Sequence, residues 1–213
     1  MSPARTSEKT VRRLSHYSMC LRRAMRDGRR VITSKYLSQR CGISSAAVRK
    51  DLATFGEFGK QGSGYRVREL LDNIENILGT VDPPPVIVMG VGNIGRALLE
   101  SGLEGTGGYR YAAAFDRDPA VTGKTYAGLT VKPVEELKRT IRELGSVLAI
   151  VAVPPGEGQD ALERLVSAGC SSILSFTLEP LDVPEHVCLR YVEVSTELDL
   201  LTHYMKTAAS DKG

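Results

Sequence analysis

Apolar residues follow two rhythms along this chain. Over the first eighty residues they recur every three or four positions; beyond residue 85 they gather in short unbroken runs separated by helical stretches. The first rhythm predicts helices with one buried stripe, and the second predicts strands buried on both faces. Val11, Leu14, Ser18, Leu21 and Met25 predict a helix closed at Asp27-Gly28, where glycine tolerates the left-handed conformation. Val31-Ile32 reads as a short apolar connector, and Thr33-Ser34 supplies the N-cap of a helix that buries Leu37 and Cys41. A tight turn, Cys41-Gly42-Ile43-Ser44-Ser45, leads into a helix over 45–55 that buries Val48, Leu52 and Phe55 and leaves Arg49 and Lys50 on its other side. Residues 58–65 read as a β-hairpin whose glycine-rich tip carries Lys60 and Gln61. Val67, Leu70, Leu71, Ile74 and Leu78 then mark an amphipathic helix.

Gly79-Thr80-Val81-Asp82-Pro83-Pro84-Pro85 is a stiff linker, because three prolines in a row fit neither a helix interior nor a central strand. Past it, strands are predicted at 86–89, 111–115, 147–153, 173–176 and 187–192, with helices at 94–101, 133–144 and 159–168 between them. That alternation predicts an α/β domain, a parallel sheet covered by helices on both faces. A last amphipathic helix is predicted to open with Ser195 as its N-cap. The expected division is therefore 1–80, 81–194 and a tail over 195–213.

Charge sharpens this division. Residues 1–80 hold 16 Lys/Arg against 7 Asp/Glu, and residues 81–213 hold 12 against 18. A basic module joined to an acidic one points the first toward a polyanion. Two short helices joined by a glycine-containing turn, the second bearing exposed cations, form the helix-turn-helix pattern, and the hairpin adds a wing. Ser44, Ser45, Ala46 and Ala47 would lie at the end nearest the base edges, with Arg49 and Lys50 reaching guanine or phosphate. Lys60 and Gln61 would ride on the wing. The four cysteines share no metal-ligand spacing and read as free thiols of a cytoplasmic protein. The start carries no signal-like apolar block, and the longest apolar run, Val147 to Pro155, is too short to cross a bilayer.

The second module opens on Gly90-Val91-Gly92-Asn93-Ile94-Gly95 between a strand and a helix. Gly90 permits the tight turn, Gly92 lets backbone approach a pyrophosphate, and Gly95 packs helix on strand, while the helix N-terminus at Asn93-Ile94 offers amides. Asp116, at the end of the second strand, is placed to bind adenosine ribose hydroxyls, which favours NAD; Arg117 beside it keeps NADP open. The sheet absorbs nearly everything from Val86 to Val192, so no substrate domain remains, and no catalytic or metal-ligand constellation emerges. A cofactor grip joined to a DNA reader points to sensing rather than catalysis.

The chain resembles the Rex family of redox-sensing transcriptional repressors from about Val11 to Met205. The likeness is carried by Val48-Arg-Lys-Asp-Leu52, Phe55-Gly56, Gly62-Ser-Gly-Tyr65, Gly90-Val-Gly-Asn-Ile-Gly-Arg-Ala-Leu98, Phe115-Asp-Arg-Asp-Pro119, Ala152-Val-Pro154 and Leu181-Asp-Val-Pro184. The resemblance implies a winged-helix domain, a Rossmann NAD(H)-binding domain and a C-terminal helix swapped between the protomers of a homodimer. It implies repression from operator DNA and release by NADH. It adds Val153 and Pro154 to the cofactor pocket, and Arg13 to the cations that face DNA. The chain departs from the family at Ser101, where a tyrosine is common, and at Val192-Glu193-Val194, where Val-Asp-Leu is common. Ser175-Phe176-Thr177-Leu178 replaces Asn-Phe-Ala-Pro. The tyrosine–aspartate pair that locks the family's NADH-bound state cannot form as such. A Rex-like regulator answering to another nucleotide and a small NAD-dependent oxidoreductase remain the alternatives.

Overall fold

A computed structural model of the chain describes residues 6–56, 64–103 and 108–210. The chain divides into two compact units between Pro83 and Pro84, with 103–109 grouped with the first.

In the first unit, α1 (Glu8–Arg26) is capped by Ser7, whose hydroxyl accepts from the Thr10 amide at 3.2 Å. Its buried stripe is Leu14, Tyr17, Ser18, Leu21 and Ala24. The expected Val11 and Met25 are instead 39 % and 40 % exposed. The stripe turns because Tyr17 can be buried whole, its hydroxyl finding a partner in Asp51 at 2.9 Å. Val31–Ile32 forms β1, and α2 (Ser34–Cys41) follows, capped by Thr33 and ended by Gly42 at φ +65°. The next helix, α3 (Ser45–Thr54), is capped by the Ser44 hydroxyl and ends one residue short of Phe55. Tyr65–Arg66 forms β2, which pairs antiparallel with β1 in the register Val31↔Arg66 and Ile32↔Tyr65. The apolar connector is thus a strand that receives the chain after the expected wing. Most of that wing, Lys60 and Gln61 included, lies outside the described residues. Finally, α4 (Val67–Leu78) packs along α1 and ends at Gly79, φ +69°. Leu14, Tyr17, Leu21, Leu37, Val48, Leu52, Leu70 and Ile74 share one core. At its edge the free thiols of Cys20 on α1 and Cys41 on α2 lie 3.1 Å apart.

The second unit runs β3 (Val86–Met89), α5 (Asn93–Ser101), β4 (Tyr111–Asp116), β5 (Thr125–Tyr126) and β6 (Leu129–Pro133). It continues through α6 (Leu137–Leu144), β7 (Leu148–Val151), α7 (Gly158–Ser167), β8 (Ser172–Ser175), β9 (Cys188–Tyr191) and α8 (Val194–Ser210). The strands form one sheet in the order β5-β6-β4-β3-β7-β8-β9, parallel from β6 to β9 with β5 antiparallel at the edge. All four β3 residues are buried, as a central parallel strand requires. The β5–β6 hairpin was not expected; its turn places Ala127 and Gly128 at φ +48° and +81°. The helix expected over 133–144 starts as a 3₁₀ turn at Val134–Glu136. α8 begins at Val194, so Ser195 lies inside the helix instead of capping it. Every residue from Val194 to Thr207 is exposed, Leu198, Leu201, Tyr204 and Met205 among them. Among the described residues, no helix is long and apolar enough to cross a membrane.

Candidate functional site

The carboxyl ends of β3, β4 and β7 open into a cavity of about 610 Å³. Its position follows from topology. The chain leaves β3 toward β4 on one side and later returns to β7 on the other, and the divergence of the two connections leaves a crevice above β3. Gly90, Gly92, Asp116, Arg117, Val153 and Pro154 all line it. Val91, Asn93, Ile94 and Gly95 complete the loop without lining the cavity.

Each glycine of the loop has its own reason. A Cβ on Gly90, which sits at φ +91°, would come within 2.6 Å of the Ala152 carbonyl oxygen at the end of β7. A Cβ on Gly95 would collide with the Gly90 carbonyl oxygen. These two glycines serve the packing of strand, loop and helix. Gly92 differs: a Cβ there would meet nothing within 4 Å. Its bareness leaves room for something other than protein. The first intrahelical bond of α5 runs from the Arg96 amide to the Gly92 carbonyl at 2.9 Å. The amides of Asn93, Ile94 and Gly95 therefore form the open, electropositive end of the helix.

Asp116 is anchored by backbone. Its Oδ2 accepts from the Val91 amide at 2.7 Å and its Oδ1 from the Asp118 amide at 2.8 Å. Val91, 3 % exposed, thus gives its amide to Asp116, which leaves phosphate contact to its neighbours. A carboxylate has about four lone-pair sites, so each Asp116 oxygen keeps capacity for a hydroxyl donor. Arg117 turns across the crevice to Glu157, which precedes α7, with Nη2 to Oε1 at 2.5 Å. Glu157 was not expected at this site; only the fold brings it to a residue 40 positions earlier. Ser101 is exposed, and its hydroxyl donates to the Leu98 carbonyl at 3.0 Å. Ser175 is fully buried and pairs with Thr177 at 2.7 Å. Glu193 accepts from the Thr196 hydroxyl at 2.7 Å.

In the first unit, α3 presents Ser44, Ala46, Arg49 and Lys50 on exposed positions, with Ser45 and Ala47 half-buried. Arg49 makes one long contact, Nη1 to the Ser34 hydroxyl at 3.4 Å. Arg13, expected among these cations, turns inward. Its Nε and Nη2 donate to the two oxygens of Asp51 at 2.6 Å each. The reason is Asp51, which sits on the buried side of α3 between Val48 and Leu52 and cannot stay charged there unpaired. Burial alone would raise the Asp51 carboxyl, but the hydrogen bonds from Arg13 and Tyr17 outweigh it and hold it below the usual range. The same arrangement raises the Tyr17 phenol, through burial first and the Asp51 bond second. Asp51 was missed in the sequence, although its place in the 48/51/52 stripe is a readable signal of a buried acid.

Comparison with known proteins follows this geometry. Residues 5–53 match the family model described as "Putative DNA-binding protein N-terminus", and residues 81–179 match "CoA binding domain". The redox-sensing transcriptional repressor Rex of Roseiflexus sp. (strain RS-1) is 42 % identical over 195 residues, covering 92 % of this chain and 89 % of that one. The Rex of Pelotomaculum thermopropionicum is 37 % identical over the full length of both chains. A crystal structure of RSP in complex with beta-NAD+ and operator DNA superposes with a TM-score of 0.84 at 30 % identity, covering 98 % of this chain and 96 % of that one. RSP in complex with beta-NADH gives 0.84 at 28 %, covering 98 % of both chains. Such identity across nine-tenths or more of the chain settles kinship, and the protein belongs to the Rex family of redox-sensing transcriptional repressors.

Proposed function

We propose that this chain is a homodimeric repressor that binds operator DNA through its first unit and reads the NADH/NAD ratio through its second. The observation that carries the reading is Gly92, bare toward a cavity that Asp116 borders, at the end of a helix whose first amides point outward. Pyrophosphate would lie against the Gly92–Gly95 amides, and the adenosine ribose hydroxyls would take the remaining capacity of Asp116. Val153 and Pro154 would flank the nicotinamide half. RSP, at 98 % coverage, has been crystallised with beta-NAD+ and operator DNA and with beta-NADH, which supports both ligands for this chain.

In the first unit, α3 would enter the major groove, with Ser44, Ser45 and Ala46 close to base edges and Arg49 and Lys50 at guanine or phosphate. Lys60 and Gln61 remain the proposed wing contacts. The dimer would be built through α8, whose apolar side chains from Val194 to Met205 are exposed on one chain. NADH acts by favouring the dimer geometry whose two recognition helices no longer match the half-site spacing. On this reading the cofactor is bound and released unchanged, in the cytoplasm, with no hydride passed to a substrate. The test is operator binding by mobility shift over a series of NADH/NAD ratios. Affinity should fall as NADH replaces NAD, and binding indifferent to both would overturn the sensing role while leaving DNA binding intact.

A further inference from the structure

Arg117 occupies the position at which a Rossmann site meets a 2′-phosphate, directly after the acid that meets a 2′-hydroxyl. In this chain its charge is already answered. Arg117 extends from the end of β4, over the carboxyl end of β3, to Glu157 beyond β7, and both side chains line the cavity. The wall's second arginine is likewise taken: Arg164 Nε donates to Asp160 Oδ2 at 2.7 Å. Asp116 and Asp118 border the same cavity. The cavity is therefore bordered by carboxylates, and both arginines of its lining are already paired with two of them.

Glu157 is held in place from behind. The two oxygens of Glu179 accept from the Gly156 and Gly158 amides, each at 2.8 Å, one on either side of Glu157. A Cβ on Gly158 would push against Glu179 Oε1, so glycine there lets the carboxylate approach the amide closely. Gly156, at φ +87°, suits the same tight path. The Glu179 clamp fixes the short loop, and the loop fixes the carboxylate that Arg117 meets.

We infer that Glu157 is a specificity-determining residue that restricts the cavity to dinucleotides with a free 2′-hydroxyl, by occupying Arg117 and placing a further carboxylate in the cavity that Asp116 borders. A 2′-phosphate carries about −1.5 to −2 charges near neutral pH. To bind, it must either displace Glu157 from Arg117 or lie against carboxylates with no free guanidinium. A 2′-hydroxyl makes no such demand and donates to Asp116. The inference rests on the dinucleotide reading of the cavity.

The experiment is titration of the full-length protein with NADH and with NADPH, followed by fluorescence of the reduced nicotinamide, for wild type, E157Q and the double variant E157Q/R117A. Wild type should prefer NADH. In E157Q the ratio of the two affinities should move about tenfold toward NADPH, the scale of one charge at a partly exposed site. The double variant should lose that gain, because the released guanidinium is what holds the phosphate. A ratio unmoved in E157Q, or a gain that survives without Arg117, would overturn the role of Glu157 while the cavity remains a dinucleotide site. Equal binding of both dinucleotides by wild type would do the same. Wild type binding neither would overturn the cavity reading itself. Circular dichroism and thermal unfolding of E157Q check its fold, and E179Q, which loosens the loop without touching the pair, should shift the ratio in the same direction by less.

Discussion

Asp51, on the buried side of α3, and Asp116, at the end of β4, are both held by hydrogen bonds, yet different chemistry meets their oxygens. Asp51 is enclosed by side chains, two nitrogens of Arg13 and the hydroxyl of Tyr17, and is 6 % exposed. Asp116 is held by two backbone amides and borders a cavity. The first accepts three bonds from side chains, is buried, and serves only the protein. The second is fixed in direction but keeps lone pairs for a visitor. An acid in a structural role recruits a countercharge, whereas an acid in a binding role is steadied by neutral amides that leave its charge to the ligand.

Removing each carboxylate separates the two roles. The largest effect should come from Asp51→Ala, which leaves Arg13 and the Tyr17 hydroxyl without their partner. The first unit should lose about 3 kcal/mol, the low end for breaking a buried pair because Arg13 is partly exposed. Chemical denaturation followed on first-unit and second-unit probes checks this, and dinucleotide binding should survive. Asp116→Ala should do the reverse, costing about 2 kcal/mol of NADH affinity, the scale of hydrogen bonds to a charged group, with little change in first-unit stability. Calorimetric titration with NADH is the measurement. If Asp116→Ala bound NADH as wild type does, the contrast between the two acids would fail.

Arg49→Ala should cost less again, about 1 kcal/mol of operator affinity, and should flatten the salt dependence of binding by about one unit. Arg13→Ala should instead act through stability, since its guanidinium is spent on Asp51. Comparing the two variants by mobility shift at several salt concentrations tells a DNA contact from a packing cation. The mildest perturbation is acid. The folded Asp51 carboxyl lies below its unfolded value, so its contribution is complete above the ordinary aspartate range near 4. It is lost as pH falls from there through the lowered value, and Asp51→Asn should abolish that part of the acid sensitivity of first-unit unfolding.

What the sequence made legible was local. The caps Thr33 and Ser44, the left-handed Gly28, the turn glycine Gly42, and the run Val86–Met89 into the glycine loop each declare themselves within a few residues. The β5–β6 hairpin did not, because two and five residues with a proline at the end give neither period nor length. The shifted stripe of α1 escaped for another reason: Tyr17 is buried only because Asp51 waits 34 positions away. In the candidate site, the glycines and Asp116 belong to one contiguous motif and its neighbouring strand. Glu157 and Glu179 enter through contacts spanning 40 and 23 positions, which no spacing rule links. Kinship with the Rex family, carried by short motifs in a fixed order, was readable throughout.

The exposed helix α8 has a consequence in mass action. Seventeen residues with Leu198, Leu201 and Tyr204 in water are close to the shortest helix that persists alone. In the dimer proposed above its order would be borrowed from a second copy, and the loan would depend on concentration. On that proposal dilution should lower helical content and melting temperature together, and the protein's sensitivity as a reporter would be set partly by how many copies share its compartment.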